Sequence, residues 1–239
     1  MAGLFGASAS TPSNTLGDLK NDIALNNPPE DSVSDLSFSP AASQATDFLA
    51  VSSWDNKVRI YEIAGNGQSE GRHVYNHDGP VMSVDFSRDG AKVVSSGADK
   101  QVRVCDLSTQ QTATVGTHDQ PIRCVRFFES GNNTMVVSGS WDKTLKYWDM
   151  RSPQAVASVQ CQERVYSMDV RDNLLVVGTA DRYINVIDLK NPTKFYKTLQ
   201  SPLKWQTRVV SCFTDSAGFA IGSIEGRCAI QYVEEKDAR

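Results

Sequence analysis

A serine, a histidine and an aspartate lie close together near the middle of the chain, and these residue types could cleave an ester or an amide. Ser138 and Asp142 belong to the stretch SGSWDKTLKYWDM, and His118 precedes them in GTHDQ. In a hydrolase the histidine would take the proton of the serine hydroxyl, and the aspartate would orient the imidazole. The three residues therefore raise the hypothesis of a nucleophilic active site.

The same residue types recur, in the same order, in the preceding stretch of the chain as His77, Ser95 and Asp99. A catalytic triad occurs once in an active site, whereas a structural network recurs wherever the same local fold recurs. We therefore interpret both sets as structural networks, in which the histidine links the aspartate to the serine hydroxyl. In the later set, the indole N–H of Trp148 can donate to that hydroxyl. We expect the protein not to be an enzyme, and a Ser–His–Asp hydrolase is the alternative.

This recurrence is part of a repeat that covers most of the chain. Five segments align: VSSWDNKVRIYEI, SSGADKQVRVCDL, SGSWDKTLKYWDM, VGTADRYINVIDL and IGSIEGRCAIQYV. Each contains an apolar run, a turn around an acidic residue and an alternating strand, and successive acidic residues are 44, 43, 39 and 44 positions apart. This period is typical of WD repeats, each of which forms one propeller blade. The sequence predicts an all-β WD-repeat β-propeller, with five blades recognisable.

The repeats also set the domain boundaries. Residues 1–30 are rich in Ser, Ala, Asn, Gly and Pro, which predicts a flexible tail. Within this tail, residues 22–26 are apolar enough to be a candidate closing strand. The propeller is predicted over 31–239, with repeats at about 31–76, 77–117, 118–162, 163–204 and 205–239. Only the second and third repeats have the histidine, so we expect the other three to depend more on apolar packing.

Composition argues against several classes of site. The net charge is −4, which does not suit a polycation that coats nucleic acid. The five cysteines contain no CxxC pair and the chain has three histidines, so we expect no metal, no cofactor and no disulfide framework. The N-terminus does not resemble a signal peptide, and no apolar stretch is long enough to span a membrane.

A basic run stands out near the C-terminus. Between Leu189 and Thr214 there is no acidic residue, and four lysines and one arginine give a charge of +5. We expect Lys204, Trp205 and Arg208 to approach one rim of the propeller, with Arg227 on the next turn. Guanidinium groups there would suit the carboxylates of an acidic peptide or phosphates, and the spacing does not separate these ligands. A solvated basic edge is the alternative interpretation.

The tryptophans divide by their position in the repeat. Trp148 lies at the end of an alternating strand and is expected in the core. Trp54 and Trp141 directly precede the turn acid, at the rim where loops converge, and aromatic side chains at such places often anchor a partner. Trp141 is therefore a candidate contact for a partner, and burial in the rim is the alternative.

Several stretches are more specific than a WD repeat. PPEDSVSDLSFSP, GSWDKTLKYWD, ERVYSMDV, SPLKWQTR and GFAIGSIEGRCAIQY resemble the poly(A) RNA export factors of the Rae/Gle group, which are seven-bladed propellers at nuclear pores. The similarity extends from about residue 20 to the C-terminus. The Bub-type mitotic checkpoint propellers are close relatives that share some of these motifs. The N-terminal tail, DSVSDLSFSP and GFAIGS favour the export factors.

The resemblance implies a docking platform at the nuclear pore that supports mRNA export. Its partner would be the acidic GLEBS segment of a GLFG nucleoporin, and its location the nucleus and nuclear envelope, with some protein in the cytoplasm. Arg208 and Arg227 match the family's basic contacts to that segment, and Lys204 and Trp141 are added from charge and position. Messenger ribonucleoprotein or single-stranded RNA is a further expected partner. A mitotic checkpoint adaptor and a direct single-stranded RNA-binding protein are the alternative functions.

The number of repeats differs from that family. Five repeats are recognisable where seven are expected, and two more would require about 86 further residues at a period of 43. We therefore expect an incomplete or truncated propeller. Its open edges would expose unpaired strands that favour association.

Overall fold

A computed structural model describes residues 22–40, 46–152 and 154–234. These residues form five antiparallel sheets joined by turns, and none of them belongs to a helix. Each sheet corresponds to one sequence repeat, which confirms the predicted all-β propeller architecture. We call the sheets blades 1 to 5 in chain order.

The strand boundaries follow the repeat. Blade 1 contains β1 (Val33–Phe38), β2 (Asp47–Ser53), β3 (Lys57–Ile63) and β4 (Ser69–Asn76). Blade 2 contains β5 (Val81–Phe86), β6 (Lys92–Gly97), β7 (Gln101–Asp106) and β8 (Thr112–Thr117). Blade 3 contains β9 (Ile122–Ser130), β10 (Asn133–Ser140), β11 (Thr144–Asp149) and β12 (Ala155–Gln160). Blade 4 contains β13 (Val165–Arg171), β14 (Leu174–Thr179), β15 (Tyr183–Asp188) and β16 (Lys197–Gln200). Blade 5 contains β17 (Thr207–Cys212), β18 (Gly218–Ser223) and β19 (Cys228–Tyr232).

The strands of each blade pair in chain order, so the first strand is innermost and the last is outermost. The inner strands are neighbours in the order β1, β5, β9, β13 and β17 around the axis. The outer strand is present in blades 1 to 4. Within the described residues, blade 5 has three strands.

The hydrophobic core lies between the blades. Ala50 and Ile60 of blade 1 pack with Val84 and Phe86 of blade 2, and similar clusters join each later pair of blades. A strand inside a blade is therefore covered on both faces. This explains why β14, with the sequence LLVVGT, is buried along its whole length instead of alternating.

Side chains on the inner strands join one blade to the backbone of the next. In each of five cases, an oxygen on one inner strand accepts the N–H of a residue 42 to 49 positions later, on the inner strand of the next blade. The pairs are Asp35–Val84 at 3.2 Å, Ser83–Val125 at 3.3 Å, Asp85–Phe127 at 2.8 Å, Ser167–Val210 at 2.8 Å and Asp169–Cys212 at 2.7 Å. These bonds satisfy N–H groups on the strand edge that faces the axis.

Every inner strand also has a β-bulge at the same place, after its first residue. In each blade, one residue of the inner strand has no paired residue on the second strand. These residues are Ser34, Met82, Arg123, Tyr166 and Arg208. A bulge re-aims the side chain of the extra residue. The five bulged residues therefore lie around the axis at the end where the inner strands begin.

The two terminal blades each expose an apolar face. Leu36 on β1 is 56% exposed, whereas the equivalent Val84 on β5 is 1% exposed because blade 1 covers it. On blade 5, Val209 and Ile230 are likewise exposed. Part of the blade 1 face is covered by the preceding segment, in which Leu25 packs on the apolar cluster of that face.

The candidate closing strand at residues 22–26 is not part of a strand in this structure. The segment lies on blade 1, where the hydroxyl of Tyr61 donates to the carbonyl of Asn27 at 2.8 Å, and Asn26 bonds to Ser69. The closing interaction remains a prediction. Residues 1–21 of the predicted tail lie outside the described residues.

Equivalent positions on blades 1 and 2 should respond differently to truncation. We expect Val84→Ala to lower the free energy of unfolding by roughly 2 kcal/mol, because it removes apolar area from a closed interface. Leu36→Ala should cost less than about 0.5 kcal/mol, because its side chain is mostly solvated. Urea denaturation of the two variants checks this, and equal losses would show that the face around Leu36 is covered in solution.

Candidate functional site

The Ser–His–Asp set of blade 3 forms one continuous hydrogen-bond chain. His118 Nδ1 lies 2.8 Å from Asp142 Oδ2, and His118 Nε2 lies 2.7 Å from Ser138 Oγ. Trp148 Nε1–H donates to Ser138 Oγ at 2.8 Å. With Nδ1–H donating to the carboxylate, Nε2 is free to accept the serine proton, so every polar group in the chain has a partner. Ser138 is fully buried and is not placed to attack a substrate.

Blade 2 repeats this arrangement with a different donor. His77 lies 2.9 Å from Asp99 and 2.8 Å from Ser95. Cys105 occupies the place of the tryptophan, and the hydroxyl of Tyr75 lies 2.9 Å from Ser95 Oγ instead. Tyr75 comes from the outer strand of blade 1, so sequence reasoning within one repeat did not find it. The absence of a tryptophan at this place in the second repeat was the signal in the sequence that Ser95 has a different donor.

Blade 1 neutralises its turn acid in another way. Asp55 forms an ion pair with Arg59 at 2.6 Å, and both side chains are more than nine-tenths buried. Val51 takes the place of the network serine. The sequence predicted apolar packing in this repeat and did not identify the buried ion pair. Arg59 lies four residues after the acid, at a position that belongs to the alternating strand. In blade 4, Cys161 stands where the histidine would be and is buried.

The network sets the charge states of its members. Burial lowers the pKa of His118 and outweighs the opposing attraction of Asp142, which favours the neutral imidazole. Burial also tends to raise the pKa of Asp142. Hydrogen bonds from Thr144 and His118 outweigh that effect, so the pKa of the carboxyl is lowered. A neutral His118 that donates to an ionised Asp142 is the state that fits the geometry.

Ser138→Ala should destabilise the protein by about 2 kcal/mol or more, because it leaves His118 and the Trp148 indole without a partner in a buried site. Ser96→Ala is a matched control. Ser96 is also fully buried, but its hydroxyl has no hydrogen-bond partner among the described residues. That substitution should be neutral or slightly stabilising. Thermal or urea unfolding measures both, and equal losses would contradict the structural network.

Acidification should weaken the protein partly through His118. A lowered pKa means that the unfolded chain binds the proton more tightly, so this stability is present above the ordinary histidine pKa and is lost as the pH falls below it. We expect His118→Gln to reduce the fall in the free energy of unfolding between pH 7 and pH 5. Burial raises the pKa of Asp85 to about 6, so the contribution of Asp85 to stability changes with pH in the opposite direction. Asp85 is present in both proteins, and its contribution therefore cancels in the comparison. An unchanged pH slope in the variant would contradict this role of His118.

The predicted partner residues lie at one end of the propeller, which we call the upper rim. In every blade, the turn between the second and third strands bonds to the segment that leads into the inner strand. For example, Ile224 N–H donates to the Gln206 carbonyl at 3.1 Å, and Trp141 N–H donates to the Pro121 carbonyl at 3.0 Å. This pairing places the turns of Trp141 and Arg227, and the segment of Lys204, on the upper rim.

The basic run of the sequence is split by the fold. Lys190 and Lys194 lie in the turn after β15, and Lys197 begins β16, all at the end opposite the upper rim. Lys204 and Arg208 lie at the upper rim. The run therefore does not form one continuous basic surface.

The upper rim between blades 4 and 5 contains a cavity of about 450 Å³. Arg182, Lys204 and Trp205 line it, together with Asp181. The Lys204 ammonium lies 5.6 Å from the centre of the Trp205 ring, and that ring is 51% exposed. This is a cationic groove with an accessible aromatic wall.

The four predicted partner residues are not equally available. Arg208 is exposed at the start of β17. Arg227 is also exposed, but its Nε lies 2.6 Å from Glu225 Oε1. Trp141 is only partly exposed, and its indole N–H is buried without a partner among the described residues. Trp205, which the sequence placed near the rim without assigning it a contact, is more exposed than Trp141.

Other kinds of site are not found in the described part of the chain. No group of three or more His, Cys, Asp or Glu there could hold a metal ion, and the five cysteines are unpaired. No helix within the described ranges is suited to crossing a bilayer.

Comparison with known proteins agrees with the repeat and its motifs. The WD domain, G-beta repeat family matches residues 24–62, 69–106 and 109–149. The mRNA export factor GLE2 of Chaetomium thermophilum is 68% identical over 99% of this chain, and the Poly(A)+ RNA export protein of Schizosaccharomyces pombe is 54% identical over 98%. Protein Rae1 of Drosophila melanogaster is 42% identical over 96%.

The chain belongs to the Rae/Gle family of WD-repeat proteins. It spans 66% of the length of each of these three relatives. Among solved structures, the WD40 β-propeller domain of Doa1 matches with a TM-score of 0.68 and 23% identity, covering 85% of this chain and 65% of that one. The Doa1 likeness shows the propeller fold alone.

Proposed function

We propose that this protein is a non-catalytic docking platform that supports the export of mRNA from the nucleus. Three relatives with 42% to 68% identity support this proposal, and two of them are named as RNA export proteins. The proposed location is the nuclear pore. Its proposed partner is the acidic GLEBS-type segment of a GLFG nucleoporin.

The chemistry of the upper rim suits such a partner. Lys204, Arg208 and Arg182 form no ion pair with an acidic residue in the described part of the chain, although Arg182 donates to the Leu203 carbonyl at 3.0 Å. These cations are therefore available to carboxylates from another molecule. The exposed Trp205 beside them can cover an apolar side chain of the same segment.

The observation that carries the proposal is this concentration of unneutralised cations beside an exposed tryptophan, on a protein whose net charge is −4. An acidic segment would be attracted to this part of the surface and repelled by much of the rest. Arg227, on the next turn of the rim, can extend the contact once it exchanges Glu225 for a partner carboxylate. Trp141 is the proposed contact two blades away along the same rim.

The absence of an exposed nucleophile in the two networks favours docking over catalysis. Ser95 and Ser138 are fully buried and already occupied by hydrogen bonds on both sides. Because the same geometry occurs in two blades, it is better explained by folding than by a single reaction. A serine-reactive probe should not label Ser138 in the folded protein.

Reversal of two rim charges should abolish docking. We expect Arg208→Glu combined with Arg227→Glu to reduce the affinity for an acidic GLEBS-type peptide at least about a hundredfold, because attraction becomes repulsion at both contacts. Fluorescence anisotropy with a labelled peptide measures the affinity. Arg88→Glu is the matched control, since Arg88 is exposed in the turn after β5, at the opposite end of the propeller.

The control variant should bind the peptide with an affinity within about threefold of the unmodified protein, apart from the small effect of net charge. Circular dichroism should show that both variants are folded. Unchanged binding by the double variant would overturn the assignment of this site.

A further inference from the structure

The β-bulges bring together a set of side chains that the docking surface does not explain. Three of the five bulged residues are Arg123, Tyr166 and Arg208, from blades 3, 4 and 5. Their strands are neighbours around the axis, with β13 between β9 and β17. On the inner strands, the position of the tyrosine is therefore flanked by an arginine position on each side, at the upper end of the central channel.

Neither of these arginines is neutralised within the described residues. The Arg123 guanidinium donates to the Met82 carbonyl at 3.1 Å, and it forms no ion pair there. Arg208 is exposed and has no side-chain hydrogen bond or ion pair in the described structure. A guanidinium with most of its N–H groups unused is suited to bidentate binding of phosphate oxygens.

Tyr166 adds a hydrogen-bond donor, and one face of its ring is covered by Arg164. The guanidinium of Arg164 lies 5.6 Å from the centre of the Tyr166 ring and is itself paired with Glu163 at 3.5 Å. The Tyr166 hydroxyl has no partner among the residues the structure describes, and it is able to donate to an anion. Stacking of a nucleobase is limited to the other face of the ring.

The deeper part of the channel has the opposite charge. Asp35, Asp85 and Asp169 surround a single cation, Arg126, which lies 3.5 Å from Asp35 and 3.9 Å from Asp169. Arg126 opposes the effect of burial on Asp85 but does not abolish it. Three carboxyl groups against one guanidinium make this level unfavourable for an anion, so an anionic ligand would be held at the upper end.

We propose that the upper end of the channel is a binding site for a small polyphosphate, with Arg123 and Arg208 as its anion ligands and Tyr166 as a donor between them. A compact ligand is favoured because the three residues occupy the same place on three adjacent inner strands around one axis. A ligand with several phosphate groups can contact both arginines at once. Inorganic polyphosphates and inositol polyphosphates share this chemistry.

The site shares Arg208 with the proposed docking surface, so occupancy of one should weaken the other. This coupling rests on the proposed function, whereas the polyphosphate site itself does not. Arg123 belongs only to the channel site, and Arg227 belongs only to the docking surface. The two proposals can therefore fail separately.

Isothermal titration of the protein with sodium tripolyphosphate, at low ionic strength, tests the site, and a parallel titration with inositol hexakisphosphate distinguishes the two sources of phosphate. We expect Arg123→Met to weaken binding of at least one of them about tenfold or more, the effect of losing charge-assisted hydrogen bonds. Arg88→Met, at the opposite end of the propeller, should leave binding unchanged. If Arg123→Met is poorly folded by circular dichroism, Arg123→Lys keeps the charge, and it should still weaken binding because it cannot form the bidentate contact.

The docking peptide provides the second readout. Arg123→Met should still bind the acidic peptide but lose competition by polyphosphate, and Arg227→Met should bind polyphosphate normally. The proposal is overturned if neither phosphate compound binds, or if Arg123→Met and Arg88→Met have the same effect. Binding of oligouridylate through Arg123 without binding of either compound would also overturn it, and would assign the residue to nucleic acid.

Discussion

The inner strand of each blade has one edge that no strand of its own sheet covers, and its N–H groups must find partners elsewhere. Here they find them on the preceding blade, where Asp35, Ser83 and Ser167 accept the N–H groups of Val84, Val125 and Val210. A buried N–H left without a partner would cost about as much as a lost hydrogen bond. Each blade therefore fixes the position of the next, and the apolar clusters form in the spaces that result.

One interface solves this problem differently. Cys124 and Arg126 on β9 occupy the two places from which Ser83 and Asp85 bond to blade 3. The guanidinium of Arg126 cannot accept a hydrogen bond, and it lies among Asp35, Asp85 and Asp169 instead. Blades 3 and 4 are held mainly by the largest of the apolar clusters. Two changed residues on one inner strand thus give this interface more packing and charge than the others.

The sequence was sufficient to predict the all-β propeller, because the period near 43 and the alternation within each repeat are local signals. It also predicted the order of residues in the two histidine networks, which the structure brings within hydrogen-bond distance. It did not predict Tyr75, because that donor reaches Ser95 from the neighbouring blade. It also did not predict the ion pair of Asp55 with Arg59, which replaces a histidine by a residue type that is ordinary on an exposed strand. Tyr75 was missed because contacts between repeats have no fixed spacing within one repeat, whereas Arg59 was missed because an arginine is ordinary at that place on a strand.

The candidate docking site shows the same limit. The run of basic residues was visible in the sequence, but the strand β16 carries the chain from one end of the propeller to the other within it. Lys194 and Lys204 are ten residues apart and lie at opposite ends. Nearness in sequence therefore overstated the size of the basic surface, whereas the exposure of Trp205 could be seen only in the folded protein.

The bulge that each inner strand carries has a consequence for how the repeats could diverge. A bulged residue takes no part in the strand ladder, so its side chain can change without altering the pairing of the sheet. Ser34, Met82, Arg123, Tyr166 and Arg208 differ in size, polarity and charge, yet all occupy the same place in nearly identical blades. Copies of one ancestral repeat could thus acquire separate chemical identities at this position while the scaffold stayed constant. The end of the channel would then be the part of the molecule where new binding properties arise at the lowest structural cost.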